Sequence, residues 1–468
     1  MDRKDPQRNA YRPPVHAPAD AGSSAVFPAE ETRRSAITAA PPAGATVCVV
    51  GLGYVGLPLA VAFDDTGRDV VGYDVDRSKV ETLRSGNDPT GDVGSGPVAD
   101  ASVRFTAEPD PIEDADYVII TVPTPIDDLE NPDLEFVRSA GRTVGEHVTP
   151  GTTVVLESTV YPGATEDVLA PAVEGTSGLT AGEEFFLGYS PERASPGEEG
   201  RGVRDVVKIV GANADHVREP LAELYETVVD AGVYRAPDIR TAEAAKVIEN
   251  VQRDLNIALV NELAIVCESM GLSTEEVLDA AGTKWNFHDE YSPGLVGGHC
   301  IPVDPHYLAH RVEREGFSPK LILQAREINE HVPTHTAELT VKALNESGKV
   351  LRDSEVLVLG FSYKPNVGDV RTSEVSGVVA GLREYDVDVV VFEPHADDDH
   401  VREQFDVPVQ PEFDPSGFDG IVLATAHDEF RSYDLDAVAD EMNPDPVLMD
   451  VPGLFSPDAV DGFTYRRL

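Results

Sequence analysis

Apolar residues along this chain fall into two alternating patterns, short continuous runs and longer stretches with a period near four. The first run, Ala45-Thr46-Val47-Cys48-Val49-Val50, stops at Gly51, and Leu57, Leu59, Ala60, Ala62 and Phe63 follow at helical spacing. Further runs occur at Asp69 to Asp74, Tyr117 to Val122, Thr152 to Glu157 and Phe185 to Gly188. Strands that are apolar almost throughout, alternating with helices, predict a parallel sheet covered on both faces. From Ala214 to Met270 the pattern turns helical, and the stretch from Thr241 to Met270 contains neither Pro nor Gly. More helix is expected from Leu321 to Glu330, after which the strand–glycine pattern restarts at Val356 to Gly360. It continues at Val387 to Phe392 and Gly420 to Ala424. The expected fold is α/β, with two Rossmann-like parallel-sheet domains joined by a helical central domain that contains a long helix. Residues 1–43, rich in Pro, Ala and charge and without periodicity, read as a disordered extension. The expected domains are 44–212, 213–335 and 336–468.

Composition narrows the class. The 468 residues suffice for two or three domains, and 41% hydrophobic residues suit folded ones. Asp and Glu number 84 against 37 Lys and Arg, a net charge of −47, and only nine of the cations are lysines. Such a field repels nucleic acid and anionic membranes. Spread along the whole chain, the acids suggest a hydrated surface suited to a salt-rich cytoplasm, where ions screen self-repulsion. The three cysteines, Cys48, Cys267 and Cys300, form neither a disulfide framework nor a metal-binding pair, so a reducing compartment is expected and no metal. No run is apolar enough for a membrane span or signal peptide, which points to a soluble cytoplasmic protein.

Gly51-Leu52-Gly53-Tyr54-Val55-Gly56 is a G-x-G-x-x-G motif directly after a strand and at the start of a helix. Gly51 allows the tight turn, Gly53 lets the backbone approach a pyrophosphate, and Gly56 permits close packing of helix on strand. Asp74 ends the second strand, where an acid binds ribose hydroxyls and repels a 2′-phosphate, favouring NAD over NADP. The alternative is a glycine-rich turn without a cofactor.

The segment Pro293-Gly294-Leu295-Val296-Gly297-Gly298-His299-Cys300-Ile301-Pro302-Val303-Asp304 places a lone cysteine among glycines, with an acid four residues on. A thiol there could attack an aldehyde and later leave from an acyl group. In isolation it reads as a small buried residue in a turn, as Cys48 and Cys267 do. Lys246 and Asn250 lie four apart on the long helix and so share a face. With lysine so scarce, one beside an amide draws notice, although a solvated lysine remains open. Glu192, in Tyr189-Ser190-Pro191-Glu192-Arg193, follows a strand and alone could be any surface acid.

Together these segments resemble the UDP-glucose/GDP-mannose dehydrogenase family over about residues 45 to 465. The resemblance is carried by Gly51 to Pro58, Pro123-Thr124-Pro125, Glu157-Ser158-Thr159-Val160-Tyr161-Pro162-Gly163, Ser190-Pro191-Glu192-Arg193, Gly297-Gly298-His299-Cys300 and Tyr363-Lys364-Pro365. It implies an NAD-dependent oxidation of a UDP-sugar C6 alcohol to the uronate, with Cys300 as nucleophile and a thioester intermediate. Lys246, Asn250 and Asp304 would stabilise the alkoxide and position a water, and Glu192 would serve thioester hydrolysis. Gly51, Gly53, Tyr54, Val55, Gly56, Asp74, Thr124, Thr159 and Arg371 would contact the cofactor, Thr159 also reaching the catalytic water. Glu192, Lys246, Asn250 and Lys364 would contact the substrate, as would Lys284, which stands where some relatives place an arginine reaching a neighbouring subunit's substrate. The family's middle helix implies a homodimer. Thr283-Lys284-Trp285-Asn286-Phe287 and Tyr161-Pro162-Gly163-Ala164-Thr165 resemble the UDP-N-acetylhexosamine branch, so UDP-N-acetylglucosamine is expected first and UDP-N-acetylmannosamine next. Pro302 and His306 depart from the residues usual after the nucleophile. Rival readings are a UDP-glucose dehydrogenase making UDP-glucuronate, a dehydrogenase that stops at the carbonyl, and a catalytically silent nucleotide-sugar sensor.

Overall fold

The computed structural model describes residues 39, 43–127, 129–194, 200–457 and 460–468. The expected N-terminal extension therefore lies almost wholly outside the described residues. Two sheets organise the rest. The first runs β3-β2-β1-β4-β5-β6-β7-β8. Its strands are β1 (Val47–Val50), β2 (Val70–Tyr73), β3 (Arg104–Thr106), β4 (Tyr117–Ile120), β5 (Thr153–Leu156), β6 (Phe186–Tyr189), β7 (Lys208–Ala212) and β8 (Val233–Arg235). Neighbours are parallel except β6 and β7, which run antiparallel. β1, β2, β4, β5, β6 and β7 are buried throughout, which explains their unbroken apolar sequence. The helices of this half are α1 (Gly56–Asp64), α2 (Arg77–Arg84), α3 (Ser95–Asp100), α4 (Glu135–His147), α5 (Ala170–Ser177) and α6 (Asp215–Glu226).

The middle of the chain is helical: α7 (Ile239–Met270), α8 (Thr274–Gly282), α9 (Asp304–Arg314) and α10 (Lys320–Glu346). Asp238 caps α7 by accepting the Thr241 N–H, and Gly271, with φ +69°, ends it. The second sheet runs β10-β9-β11-β12-β13, all parallel. Its strands are β9 (Glu355–Leu359), β10 (Asp388–Phe392), β11 (Gly420–Leu423), β12 (Val447–Asp450) and β13 (Thr464–Arg467), with helices α11 (Val375–Glu384), α12 (Asp398–Phe405) and α13 (Leu435–Glu441).

Both domain boundaries read from the sequence shift. The first sheet does not end at residue 212, because α6 and β8 return the chain to it as far as Arg235. The short β8 is half exposed, so it lacks the apolar signature of the inner strands. The boundary at 335 falls inside α10, which spans the central domain and packs on α11 and β12 of the second sheet. Pro333 within this helix disguises its continuity. Among the described residues, no helix is long and apolar enough to cross a membrane.

Candidate functional site

Strand order reverses between β1 and β4, and in such sheets a crevice opens at the carboxyl ends of the strands there. Gly51 turns the chain out of β1 with φ +95°, and α1 begins at Gly56. A Cβ on Gly56 would lie 1.9 Å from Gly51 O, so helix and strand meet at a spacing only glycine allows. A Cβ on Gly53 would meet nothing within 4 Å, so the loop is open on the ligand side. The Asp74 carboxylate accepts the Leu52 N–H at 2.8 Å and the Lys79 ammonium at 2.8 Å, which fixes the acid at the end of β2. An open glycine turn, a helix N-terminus and a fixed acid together suit a dinucleotide. Arg371, from the second sheet's domain, lies 5.5 Å over the Tyr54 ring and pairs with Asp369 at 2.8 Å. Thr124 and Thr159 sit half-buried on adjoining loops, which are tied where the Ser158 hydroxyl donates to Val122 O at 2.6 Å.

The cysteine loop is clamped from two sides. Asn261 of α7 accepts the Gly294 N–H at 2.8 Å and donates to Gly294 O at 3.1 Å. Gly298, with φ +93°, donates to Thr372 O at 3.1 Å. A Cβ on Gly297 would come within 2.7 Å of Thr372 O, so the loop lies flat on the C-terminal domain. Cys300 is exposed, whereas Cys48 and Cys267 are buried. Its carbonyl accepts the Asp304 N–H at 2.9 Å, and α9 starts there.

Asn250 donates to Asp304 Oδ2 at 2.5 Å. Lys246, Asn250 and Asp304 are all buried, so Lys246 is not a solvated lysine. Although Cys300 is exposed as a residue, the protein packed around its thiol desolvates it and pushes it up; Lys246 pulls it back, Asp304 adds to the rise and Arg253 opposes it. Asp304 is raised to about 6, chiefly by burial, with Lys246 and the Asn250 hydrogen bond opposing. A carboxyl poised there can exchange a proton near neutral pH. Glu243, one turn before Lys246, accepts the N–H groups of Gly163 at 2.5 Å and Thr165 at 2.8 Å, tying the Thr159 segment to α7.

Glu192 is no ordinary surface acid. Its Oε1 accepts the backbone N–H groups of Arg193 and Ala194, and its Oε2 pairs with Lys208 at 3.1 Å. Lys208 also pairs with Glu157, whose other oxygen accepts the Tyr225 hydroxyl at 2.7 Å. The sequence pattern assigns Lys208 no role, and Glu157 figures in it only as the end of a strand run and the start of a motif. A lysine inside the apolar strand Lys208–Ala212 was the available signal.

In the second sheet the order reverses between β9 and β11, and a cavity of about 170 Å³ lies at that end of the sheet. Gly294, Leu295, Tyr363, Glu374, Thr425 and Pro452 are among its walls, so it adjoins the cysteine loop. Lys364 is half-buried on the same loop as Tyr363. That loop is held by a buried pair: Glu393 accepts the N–H groups of Phe361 at 2.6 Å and Ser362 at 2.9 Å, and His427 Nδ1 accepts the Asn366 N–H at 2.9 Å. His395, His427 and Glu429 approach one another closely enough to hold a metal. Both His427 nitrogens are engaged by protein, however, Nε2 lying 3.1 Å from Glu393, so the group serves as a clasp. Lys284 stands apart, exposed on the turn after α8, and among the described residues no hydrogen bond or ion pair joins its side chain to the Cys300 group.

Three sequence models of one family cover most of the chain. The NAD-binding domain of the UDP-glucose/GDP-mannose dehydrogenase family matches residues 45–229, its central domain 240–331 and its UDP-binding domain 357–457. The UDP-N-acetyl-D-glucosamine 6-dehydrogenase of Salmonella typhi is 42% identical over 82% of this chain and 90% of its own length. The enzyme of the same name from Pseudomonas aeruginosa is 41% identical, over 89% and 98%. Among solved structures, the UDP-D-ManNAc dehydrogenase of Pyrococcus horikoshii superposes with a TM-score of 0.81 at 30% identity, covering 90% of this chain and 98% of that one.

Proposed function

The chain belongs to the UDP-glucose/GDP-mannose dehydrogenase family, and we propose that it oxidises the C6 alcohol of a UDP-N-acetylhexosamine to the carboxylate through a Cys300 thioester. The observation that carries this reading is the buried group behind Cys300: the Asp304 N–H donates to Cys300 O at 2.9 Å, Asn250 donates to the Asp304 carboxylate at 2.5 Å, and Lys246 is buried one turn before Asn250 on α7. NAD, held by the Gly51–Gly56 turn and Asp74, would supply the hydride acceptor, one molecule for each of the two oxidations. Lys246 stabilises the alkoxide that forms as the alcohol proton leaves, in a site drier than water. Cys300 adds to the aldehyde carbon, so the aldehyde stays attached as a thiohemiacetal. Loss of the second hydride gives the thioester. Water directed by Glu192, Asp304 or Thr159 then adds to the acyl carbon, and the Cys300 thiolate leaves. The sum is one alcohol, two NAD+ and one water giving one carboxylate, two NADH and three protons.

UDP-N-acetylglucosamine is the favoured substrate, because the two relatives of that name share more sequence with this chain than the N-acetylmannosamine enzyme does. The cavity beside the cysteine loop, with Tyr363 in its wall and Lys364 next to it on the same loop, would hold the nucleotide, Lys364 meeting its phosphates. Thr124, Thr159 and Arg371 are assigned to the cofactor, and Lys284 to a substrate bound by a neighbouring subunit. A homodimer through α7 is supported by Ile248, Leu259, Val266 and Met270, which are exposed although apolar. At ~100° per residue they fall within roughly 40° of one another around the helix. Three unpaired thiols and the acidic surface suit a reducing, salt-rich cytoplasm. Rates of NADH formation with UDP-N-acetylglucosamine, UDP-N-acetylmannosamine and UDP-glucose in concentrated KCl test the substrate. A clear preference for UDP-glucose would overturn the N-acetylhexosamine reading.

A further inference from the structure

Of the Glu157–Lys208–Glu192 cluster, only Glu192 has so far been given a part in the mechanism. Lys208 is 2% exposed and Glu157 1%, in a first domain whose other lysine, Lys79, is only half-buried and paired with Asp74. An ammonium is excluded from protein interiors unless partners compensate its lost hydration. Here the partners come from three strand ends. Lys208 opens β7, Glu157 follows β5, and Glu192 lies just past β6. Lys208 Nζ meets Glu157 Oε1 and lies 3.1 Å from Glu192 Oε2, and its charge also faces the Tyr225 ring at 5.4 Å. The antiparallel pairing of β7 with β6 brings the first residue of β7 back to the end where Glu192 emerges.

We propose that Lys208 is a positioning residue for acyl-enzyme hydrolysis, fixing the Glu192 carboxylate in its ionised form, while Glu157 anchors the ammonium from the buried side. The proposal rests on the reading that Glu192 directs water onto the thioester. All the acceptor positions used on Glu192 favour the carboxylate: two backbone N–H groups hold Oε1 and Lys208 holds Oε2. The other titratable or charged groups around it are Glu157, the neutral phenol of Tyr225 from α6, and Arg193, whose guanidinium is paired with Glu249 of α7 at 2.7 Å. Two carboxylates share one ammonium, so one carboxyl can keep its proton. Burial raises the Glu157 carboxyl against the pull of Lys208, so of the two acids it holds a proton more readily. Burial also acts on Glu192, but Lys208 and the Ala194 N–H outweigh it and hold its carboxyl below the usual range. Glu192 is thus left as the base, with its orientation fixed at both oxygens.

The test compares wild type, Lys208→Met, the double variant Lys208→Met with Glu157→Met, and Glu192→Gln. The double variant replaces the buried pair with apolar side chains of similar length, an exchange that interiors commonly tolerate. With UDP-N-acetylglucosamine and NAD+, the folded Lys208 variants should slow steady-state turnover on the order of tenfold or more. They should show a burst of two NADH per site, with an acyl adduct on Cys300 by intact mass. The acidic limb of kcat against pH should move up by about one unit or more once the cation is gone. A folded double variant with no burst and an unmoved limb would overturn the proposal. Glu192→Gln separates the two claims: if it turns over normally, the role given to Glu192 is itself wrong, whatever Lys208 does.

Discussion

Gly56 and Gly53, five and two residues after Gly51 in the first βα turn, should respond oppositely in stability to the same added methyl. At Gly56, an alanine Cβ would stand 1.9 Å from Gly51 O and 2.4 Å from Thr121 Oγ1. The Gly51 contact is backbone, so the turn itself must move. It would break the hydrogen bond from the Thr121 hydroxyl to Gly51 O, now 2.7 Å. Overpacking of this kind costs ~1–3 kcal/mol and the hydrogen bond ~1 kcal/mol, about 2–4 kcal/mol together. At Gly53 the methyl would meet no atom within 4 Å, and φ there is not in the left-handed region. Gly53→Ala should therefore keep or gain stability, by ~0.4–1 kcal/mol through the unfolded chain. Both variants should lose NAD affinity, Gly56→Ala because the turn is displaced and Gly53→Ala because the methyl stands where the pyrophosphate approaches. A tenfold loss corresponds to ~1.4 kcal/mol and is within reach of isothermal titration. Thermal unfolding without NAD supplies the stability half. Gly53→Ala binding NAD with wild-type affinity would refute the placement of the cofactor.

Three further outcomes follow from the same structure. Asp304 is raised from 3.8 to about 6, so between those pH values the native state keeps a proton the unfolded chain has lost, and stability falls as pH rises through the window. Asp304→Asn should be inactive yet gain on wild type by up to ~3 kcal/mol above pH 6, seen as a difference in unfolding midpoint that opens between pH 4 and 6; parallel curves would contradict the assignment. Arg371→Ala removes the cation over Tyr54 and should raise KM for NAD severalfold while leaving KM for the UDP-sugar nearly unchanged; the reverse pattern would place Arg371 on the substrate side. Ile248→Asp with Leu259→Asp puts two charges on the exposed face of α7 and should halve the mass by light scattering in concentrated KCl; an unchanged mass would remove that face from the dimer.

The glycine turn and the cysteine loop were legible in the sequence because each combines backbone and side-chain requirements in one contiguous segment. Gly51 adopts the positive φ of a tight turn and Gly56 lies where a Cβ would collide; Gly297 and Gly298 are also places for glycine, but because the protein's own Thr372 and Tyr363 pack on them. Lys246 and Asn250 were legible as a shared helix face, but only folding places Asp304 against Asn250, since α9 must dock on α7. Lys208 was legible only as a lysine opening an apolar strand, not as a member of a cluster. Its partners Glu157 and Glu192 are 51 and 16 residues away, and nothing in the local pattern of β7 announces them. The extent of the first domain was misread for a related reason. β8 is short and half exposed, and its pairing with β7 is long-range information. Similarly, Glu393 and His427 are 34 residues apart and converge because β10 and β11 flank β9.

The central claim is a four-electron oxidation retained on Cys300, and the most direct measurement is the number of NADH molecules formed per UDP-sugar consumed, with sugar limiting. The account requires two from UDP-N-acetylglucosamine, and no product from folded Cys300→Ser beyond the aldehyde level. One NADH per sugar in the wild type, or normal uronate from Cys300→Ser, would contradict it.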